Sequence, residues 1–230
     1  MTKSIKNVVF VHGAFADGSS WRKIIPELAA KGLEVRAVQN PLTSLEDDVA
    51  ATRRVLDTLQ GPTLLVGHSW AGCVISELGN HANVAGLAYI AAAAPDKGQS
   101  LNDWWAGVEP APGLSHITPQ GGGFLVLSKE GMRDGYAYDL PTEESDLLYA
   151  VQGPLKAACF DQKVSEATWR TRPSFYFVTD NDRIINSVIQ HQSAKKMTGY
   201  SAIDSSHVPM LSHPDAVMDF LHRTIQTIGT

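Results

Sequence analysis

Thr63-Leu64-Leu65-Val66-Gly67-His68-Ser69-Trp70-Ala71-Gly72 carries an apolar, β-type run straight into a glycine-flanked serine. Residues 63–66 read as a buried strand, and a helix is predicted over about 70–79. A serine set between strand and helix in this way sits on a turn so sharp that its backbone is strained. The residues two places either side must be small, or they collide with the adjacent strand and helix. Gly67 and Ala71 meet that demand, and Gly72 follows. The strain lifts the Ser69 hydroxyl above the sheet edge at a helix N-terminus. There the Trp70 N–H can donate to a developing oxyanion. Gly-x-Ser-x-Ala also arises by chance in strand-to-helix loops, so the surrounding elements decide what this one means.

Upstream, 7–12 reads as a buried strand. A helix is expected over 20–30, with Trp21, Ile24, Ile25 and Leu28 on one face and Gly32 placed to end it. A second strand is expected at 33–38. Ser44-Leu45-Glu46-Asp47 resembles a capping box and opens a helix to about residue 59. Downstream, 84–92 is a fourth strand. Strands separated by helices imply a parallel sheet with right-handed crossovers. The rhythm breaks over 95–169, which carries Pro110, Pro112, Pro119, Gly121-Gly122-Gly123, Pro141 and Pro154. Within it, 116–118 and 124–127 flank the glycines as a hairpin, and 143–152 looks helical. The rhythm resumes with a fifth strand at 174–179, a helix at 186–197, a sixth strand at 200–203 and a last helix at 214–228. The fold expected is α/β: a mainly parallel six-stranded sheet flanked by helices. Its core spans 1–94 and 170–230, with a cap of 95–169 inserted after strand four.

A serine hydroxyl needs a base to act as nucleophile. With a nucleophile on this kind of turn, the acid and then the histidine follow it along the chain. Asp204-Ser205-Ser206-His207-Val208-Pro209-Met210 puts His207 just after strand six, at the same sheet edge as Ser69. His191 and His222 fall inside predicted helices, and His213 fits a helix start, so His207 is the preferred base. After strand five, Thr179-Asp180-Asn181-Asp182-Arg183 offers two carboxylates. Asp182 lies further into the loop and is favoured, with Asp180 as the alternative. The acid would hold the imidazole in the tautomer that accepts the Ser69 proton. The loop after strand one, His12-Gly13-Ala14-Phe15-Ala16-Asp17-Gly18, should supply the second oxyanion donor. Ala14 N–H is the first candidate and Phe15 the second. His12 is expected to brace this loop, and His68 to pack.

The chain has 230 residues, 43% of them hydrophobic, enough for one sizeable core. Nineteen basic and 24 acidic residues leave a net charge of −5, which gives no support for nucleic-acid binding. No run approaches the roughly 20 apolar residues of a membrane span. No signal-peptide core is apparent at the N-terminus, and Cys73 and Cys159, the only cysteines, are read as reduced thiols. The expected location is the cytoplasm. No metal-type Cys/His spacing occurs, and the chemistry requires no cofactor. A homodimer is left open.

Three motifs stand together in order. They are His12-Gly13-Ala14-Phe15 with Trp21 following, Gly67-His68-Ser69-Trp70-Ala71-Gly72, and Asp182 with Ser206-His207-Val208-Pro209-Met210-Leu211. Together they resemble the α/β-hydrolase superfamily. More narrowly, the chain is similar to small bacterial esterases related to the plant methyl esterase and hydroxynitrile lyase group. The resemblance covers nearly the whole chain and is loosest over 95–169. It implies a six-stranded core and a lid made from the insertion. Plant cyanohydrin lyases of the group carry Thr where Gly13 stands and Lys where Val208 stands, so the resemblance implies ester hydrolysis. Phe15, Trp104, Trp105 and Phe124 are the expected substrate contacts, in a pocket for a small hydrophobic ester or lactone. A lyase, a lactonase or a cofactor-free oxygenase in the same site, or a non-catalytic small-molecule receptor, are the competing readings.

Overall fold

The central apolar runs become strands buried on both faces, while the strands at the two edges of the sheet stay partly exposed. The computed structural model describes residues 4–229. β1 (Asn7–Val11) is buried along its whole length. After a 3-10 turn at Gly18–Trp21 come α1 (Ile25–Ala30) and β2 (Glu34–Val38). The helix expected over 20–30 is thus two pieces. Pro26 sits in the first turn of α1 and has no N–H to donate backwards, so one helix cannot run through it. Asp17 caps the leading piece by accepting the Ser19 N–H. α2 (Leu45–Asp57) is capped by Ser44, which accepts the Asp47 N–H. Glu46, Asp47 and Asp48 fill its first turn, where carboxylates oppose the positive end of the helix dipole. β3 (Thr63–His68), α3 (Ala71–Leu78) and β4 (Val84–Ile90) follow, nearly all buried.

The next stretch holds α4 (Leu101–Trp105), β5 (Ile117–Gly121) and β6 (Phe124–Leu127). A π-helical turn at Gly131–Tyr136, α5 (Thr142–Val151) and β7 (Leu155–Lys156) complete it. β5 and β6 pair as an antiparallel hairpin around the three glycines, and β7 adds a third strand. Neither α4 nor β7 is long enough to show a period in the sequence. The readable trace of α4 is its capping box, in which Ser100 and Asp103 bond each other's backbone.

The chain then returns to the main sheet with β8 (Ser174–Thr179), α6 (Ser187–Ala194) and β9 (Gly199–Ile203). It ends with α7 (Pro209–Ser212) and α8 (Pro214–Gly229). α8 buries Val217, Met218, Phe220, Leu221 and Thr224, the stripe of an amphipathic helix. The six strands lie in the order β2-β1-β3-β4-β8-β9, and every neighbouring pair is parallel. From β1 the chain moves outward to β2, while from β3 it moves the other way to β4. The direction of winding therefore reverses between β1 and β3, and open parallel sheets bind ligands beyond the strand ends at such a reversal. The loop after β1 and the Ser69 turn after β3 meet there. Among the described residues no helix is long and apolar enough to cross a membrane.

Candidate active site

Ser69 has a φ of +56°, in the left-handed region that a side chain with a Cβ rarely occupies. Three backbone bonds hold it. Its N–H donates to Ile90 O at 3.3 Å, and its carbonyl accepts from Gly72 N and Ala93 N, both at 3.0 Å. Ile90 and Ala93 belong to the end of β4 and the loop beyond it, so the neighbouring strand fixes the strained turn. The small-residue requirement has a concrete cause. A Cβ on Gly67 would lie 2.9 Å from Ala71 O. One on Gly72 would lie 2.8 Å from the carbonyl carbon of Ala93 and 2.9 Å from its nitrogen, overlapping the carbonyl oxygen as well.

His207, in the loop between β9 and α7, and Asp182, in the loop after β8, reach Ser69 in a line. His207 Nδ1 lies 2.7 Å from Asp182 Oδ2, and His207 Nε2 lies 2.8 Å from Ser69 Oγ. A proton on Nδ1 donates to the carboxylate, which leaves Nε2 to accept from the hydroxyl. Asp182 is oriented by more than the imidazole. Its Oδ1 accepts from the N–H groups of Ile184 and Ile185, at 2.8 and 3.0 Å. Its Oδ2 also accepts from Thr179 Oγ1 and Gln190 Nε2, each at 2.9 Å. Asp180 points elsewhere and meets His191 Nε2 at 2.7 Å on the surface. The two carboxylates that the sequence leaves in competition therefore have separate partners.

The flanking histidines are both buried and hold backbone. His12 Nε2 accepts from Asn40 N at 2.9 Å, so Nδ1 carries the proton and donates to Gly13 O at 2.9 Å. Asn40 in turn donates to His12 O. Burial lowers the pKa of His12 and takes that of His68 well below the usual imidazole range. His68 Nε2 lies 2.7 Å from the carbonyl of His207, a contact that goes beyond packing and holds the His207 backbone. Tyr136, from the π-helical turn, stands edge-on to both His68 and His207.

Gly13 faces Ser69 directly. A Cβ there would lie 2.6 Å from Ser69 Cβ and 3.2 Å from Ser69 Oγ. The bare backbone lets the loop carrying Ala14 close down beside the serine. Among the described residues the N–H groups of Ala14, Phe15 and Trp70 all donate to no backbone acceptor. Gly13→Ala is expected to keep the fold but push the loop and serine apart. A displacement of about 1 Å in such a site costs on the order of 10²-fold in kcat. Stopped-time ester assays beside a circular-dichroism melt check this, and an unimpaired kcat would remove the close approach as a requirement.

A narrow apolar cavity covers Ser69. Ala14, Phe15, Trp70, Trp105, Tyr136 and Ile184 are among its walls, with Leu101, Leu114, Ile117, Phe160 and Ile185. It has about 20 Å³ of free space, room for about one water. Trp105, Leu114 and Ile184 also form one side of a second apolar cavity of about 120 Å³. Of the expected substrate contacts, Phe15 and Trp105 face the cavity over Ser69, while Trp104 and Phe124 do not line it. Trp104 is buried, with its indole N–H donating to Ser193 Oγ on α6 at 3.2 Å. Phe124 lies on the hairpin under the Lys156 ammonium, 4.7 Å from the ring centre. Neighbours on a helix diverge by about 100°, which is why only one of Trp104 and Trp105 faces Ser69. The aliphatic walls, Leu114, Ile117, Ile184 and Ile185, carry no motif that marks them in the sequence.

A parallel sheet that displays a strained serine at its switch point is the architecture of the α/β hydrolases. The chain belongs to the Alpha/beta hydrolase family, whose profile matches residues 8–220. It is 27% identical over 258 aligned positions to a pyrethroid hydrolase of Sphingobium wenxiniae, across 94% of this chain and 88% of that protein. The crystal structure of a pyrethroid hydrolase from Sphingobium faniae JZ-2 superposes with a TM-score of 0.84 at 22% identity. That match covers 97% of this chain and 98% of the other. A methylesterase from Arabidopsis superposes with a TM-score of 0.79 at 20% identity, over 97% and 100% of the two chains. At these identities the two structures share the fold with this chain.

Proposed function

We propose that this protein is a serine carboxylesterase that cleaves small hydrophobic esters through an acyl-enzyme on Ser69. The observation that carries the reading is the unbroken line from Ser69 Oγ through His207 to Asp182, with 2.8 and 2.7 Å links. As Ser69 Oγ attacks the ester carbonyl, its proton passes to His207 Nε2. The carbonyl oxygen becomes an oxyanion and takes hydrogen bonds from the N–H groups of Ala14 and Trp70. Collapse breaks the acyl–oxygen bond, and Nε2 returns the proton to the leaving alkoxide. Water then repeats the sequence against the acyl-enzyme and releases the acid. The step starts from the neutral imidazole, with Nε2 free to accept the proton.

The apolar walls at Phe15, Trp70, Trp105 and Ile184 favour a hydrophobic substrate, most simply an ester or a lactone, over a sugar or nucleotide. Relatives named as hydrolases and esterases support the same reaction class. The segment at 95–169 supplies Trp105, Leu114, Ile117, Tyr136 and Phe160 to the cavity, which supports its reading as a lid over a core of 1–94 and 170–230. Because the cavity has room for about one water, a larger substrate must part those side chains to fit. Two free, buried cysteines fit a reducing compartment, the cytoplasm.

The test is hydrolysis of p-nitrophenyl esters of increasing acyl length, with a fluorophosphonate probe run alongside. Turnover of the shorter esters is expected, and probe mass on the peptide that contains Ser69. If the folded protein cleaves no ester or lactone and the probe labels nothing, the reading fails. Binding of hydrophobic ligands without turnover would then favour a receptor.

A further inference from the structure

Asp48, in the first turn of α2, is completely buried, yet it takes no part in the chemistry described above. Its Oδ2 accepts the Trp70 indole N–H at 2.8 Å, and its Oδ1 accepts the Leu42 N–H at 2.8 Å. Among the described residues no cation pairs with it. Its own helix presents Asp47, and the turn Ala157–Asp161 presents the Cys159 thiol. From the Ser69 turn it meets the neutral indole, and from the loop before α2 a backbone amide. A carboxylate removed from water without a cation carries a desolvation cost that its hydrogen bonds here offset only in part. Capping α2 does not require it, because Ser44 already caps that helix. Burial raises its pKa to about 6, against the lowering effect of the Trp70 and Leu42 bonds.

What those bonds hold is next to the nucleophile. Trp70 follows Ser69 in the chain, and its side chain is a wall of the cavity over Ser69. Leu42 has a φ of +59°, and its carbonyl accepts from Lys156 N at 2.8 Å in the inserted segment. We propose that Asp48 is a positioning residue: its carboxylate fixes the Trp70 indole, and with it the cavity wall and the peptide that follows Ser69. The kinetic consequence rests on the ester-hydrolysis reading, while the contact itself does not.

The sign of the pH effect follows from the raised pKa. The folded protein protonates Asp48 at a higher pH than the unfolded chain does, so the ionised form weakens the fold above about pH 6, and the penalty fades as pH falls through that value. Ionised Asp48 is thus kept at neutral pH at some expense to stability, while it gives Trp70 a charged acceptor.

The experiment has a spectroscopic and a kinetic arm. Indole N–H resonances are followed by ¹H–¹⁵N NMR from about pH 8 to about pH 5, a window around the pKa of 6. The Trp70 signal is assigned by its loss in Trp70→Phe. That signal is expected to move with a midpoint near 6 in the parent and to lose the transition in Asp48→Asn. In the kinetic arm, Asp48→Asn lowers kcat/KM for p-nitrophenyl esters about tenfold, the loss of one charge-assisted hydrogen bond. In the Trp70→Phe background the same substitution should have less than about a twofold effect, because the partner is already gone. An indole transition that persists unchanged in Asp48→Asn, or equal kinetic losses in both backgrounds, overturns the proposal. Should the parent cleave no ester, the esterase reading fails and the indole transition alone decides whether Asp48 positions Trp70.

Discussion

Asp182→Asn lowers kcat by about 10⁴-fold, while Asp180→Asn leaves it within about twofold; this is the expected result of exchanging each carboxylate in the loop after β8. The asymmetry follows from their partners. Asp182 accepts from five donors: two backbone amides, Thr179, Gln190 and the imidazole of His207. An asparagine has one acceptor oxygen and one NH₂ group. If its oxygen stays with the amides of Ile184 and Ile185, the NH₂ faces His207 Nδ1. The imidazole then moves its proton to Nε2, the atom 2.8 Å from Ser69 Oγ, and the base becomes a donor. A loss of 10⁴ corresponds to about 5.5 kcal/mol of barrier. Asp180 has no such link, since its partner is the half-exposed His191. The measurement is kcat on a p-nitrophenyl ester for both variants, with Ser69→Ala as the floor and circular dichroism as the check on folding. A large loss in Asp180→Asn with Asp182→Asn near the parent would sink the assignment.

A single methyl group on Gly72 is expected to be the most damaging small substitution near the site. The added Cβ would overlap the Ala93 carbonyl group, which is backbone and cannot rotate away. Relief requires α3 to move off the end of β4, and two of the three bonds that hold Ser69, those to Ile90 and Ala93, run across that junction. Gly72→Ala should therefore lose about 4 kcal/mol or more, beyond the range of ordinary overpacking. Against a typical total of about 5–15 kcal/mol, much of the protein would be unfolded or insoluble at 37 °C. Ala71→Gly is the control. It adds no atoms, and as a change near a helix start it should cost about 1 kcal/mol. Urea denaturation of both variants provides the comparison. Equal midpoints for Gly72→Ala and the parent would show that the helix and strand do not approach as closely as described.

Much of the architecture is legible in the chain itself. The alternation of apolar runs with 3.6-period stretches specifies a parallel sheet, since two-sided burial of the central strands leaves continuous hydrophobic runs. The edge strands, the hairpin around Gly121-Gly122-Gly123 and the amphipathic α8 each leave a local trace of their own. Ser69 and His207 are legible for a related reason. Each lies a few residues beyond a strand, so knowing the strands and their direction is enough to put both at one sheet edge.

Local pattern says nothing about which way a loop carboxylate turns. Asp182 is directed inward by the amides of Ile184 and Ile185 and by Gln190 from α6, and only the folded loop brings those donors together. Trp104 and Trp105 are indistinguishable by composition, and the orientation of a five-residue helix decides that Trp105 meets the cavity. Asp48 reads in the sequence as one more acid in a helix's first turn, where it has an ordinary dipole role. Its burial against Trp70 depends on how α2 packs against the start of α3. The sequence by itself determined the order of the elements and which residue types stand at the strand ends, because those are properties of neighbours along the chain. The tertiary structure alone decided the acid's direction, the cavity walls and the Asp48–Trp70 bond. The cavity walls and the Asp48–Trp70 bond depend on contacts between residues far apart in sequence. The acid's direction depends on how one loop folds back on itself and on α6, a geometry no local period encodes.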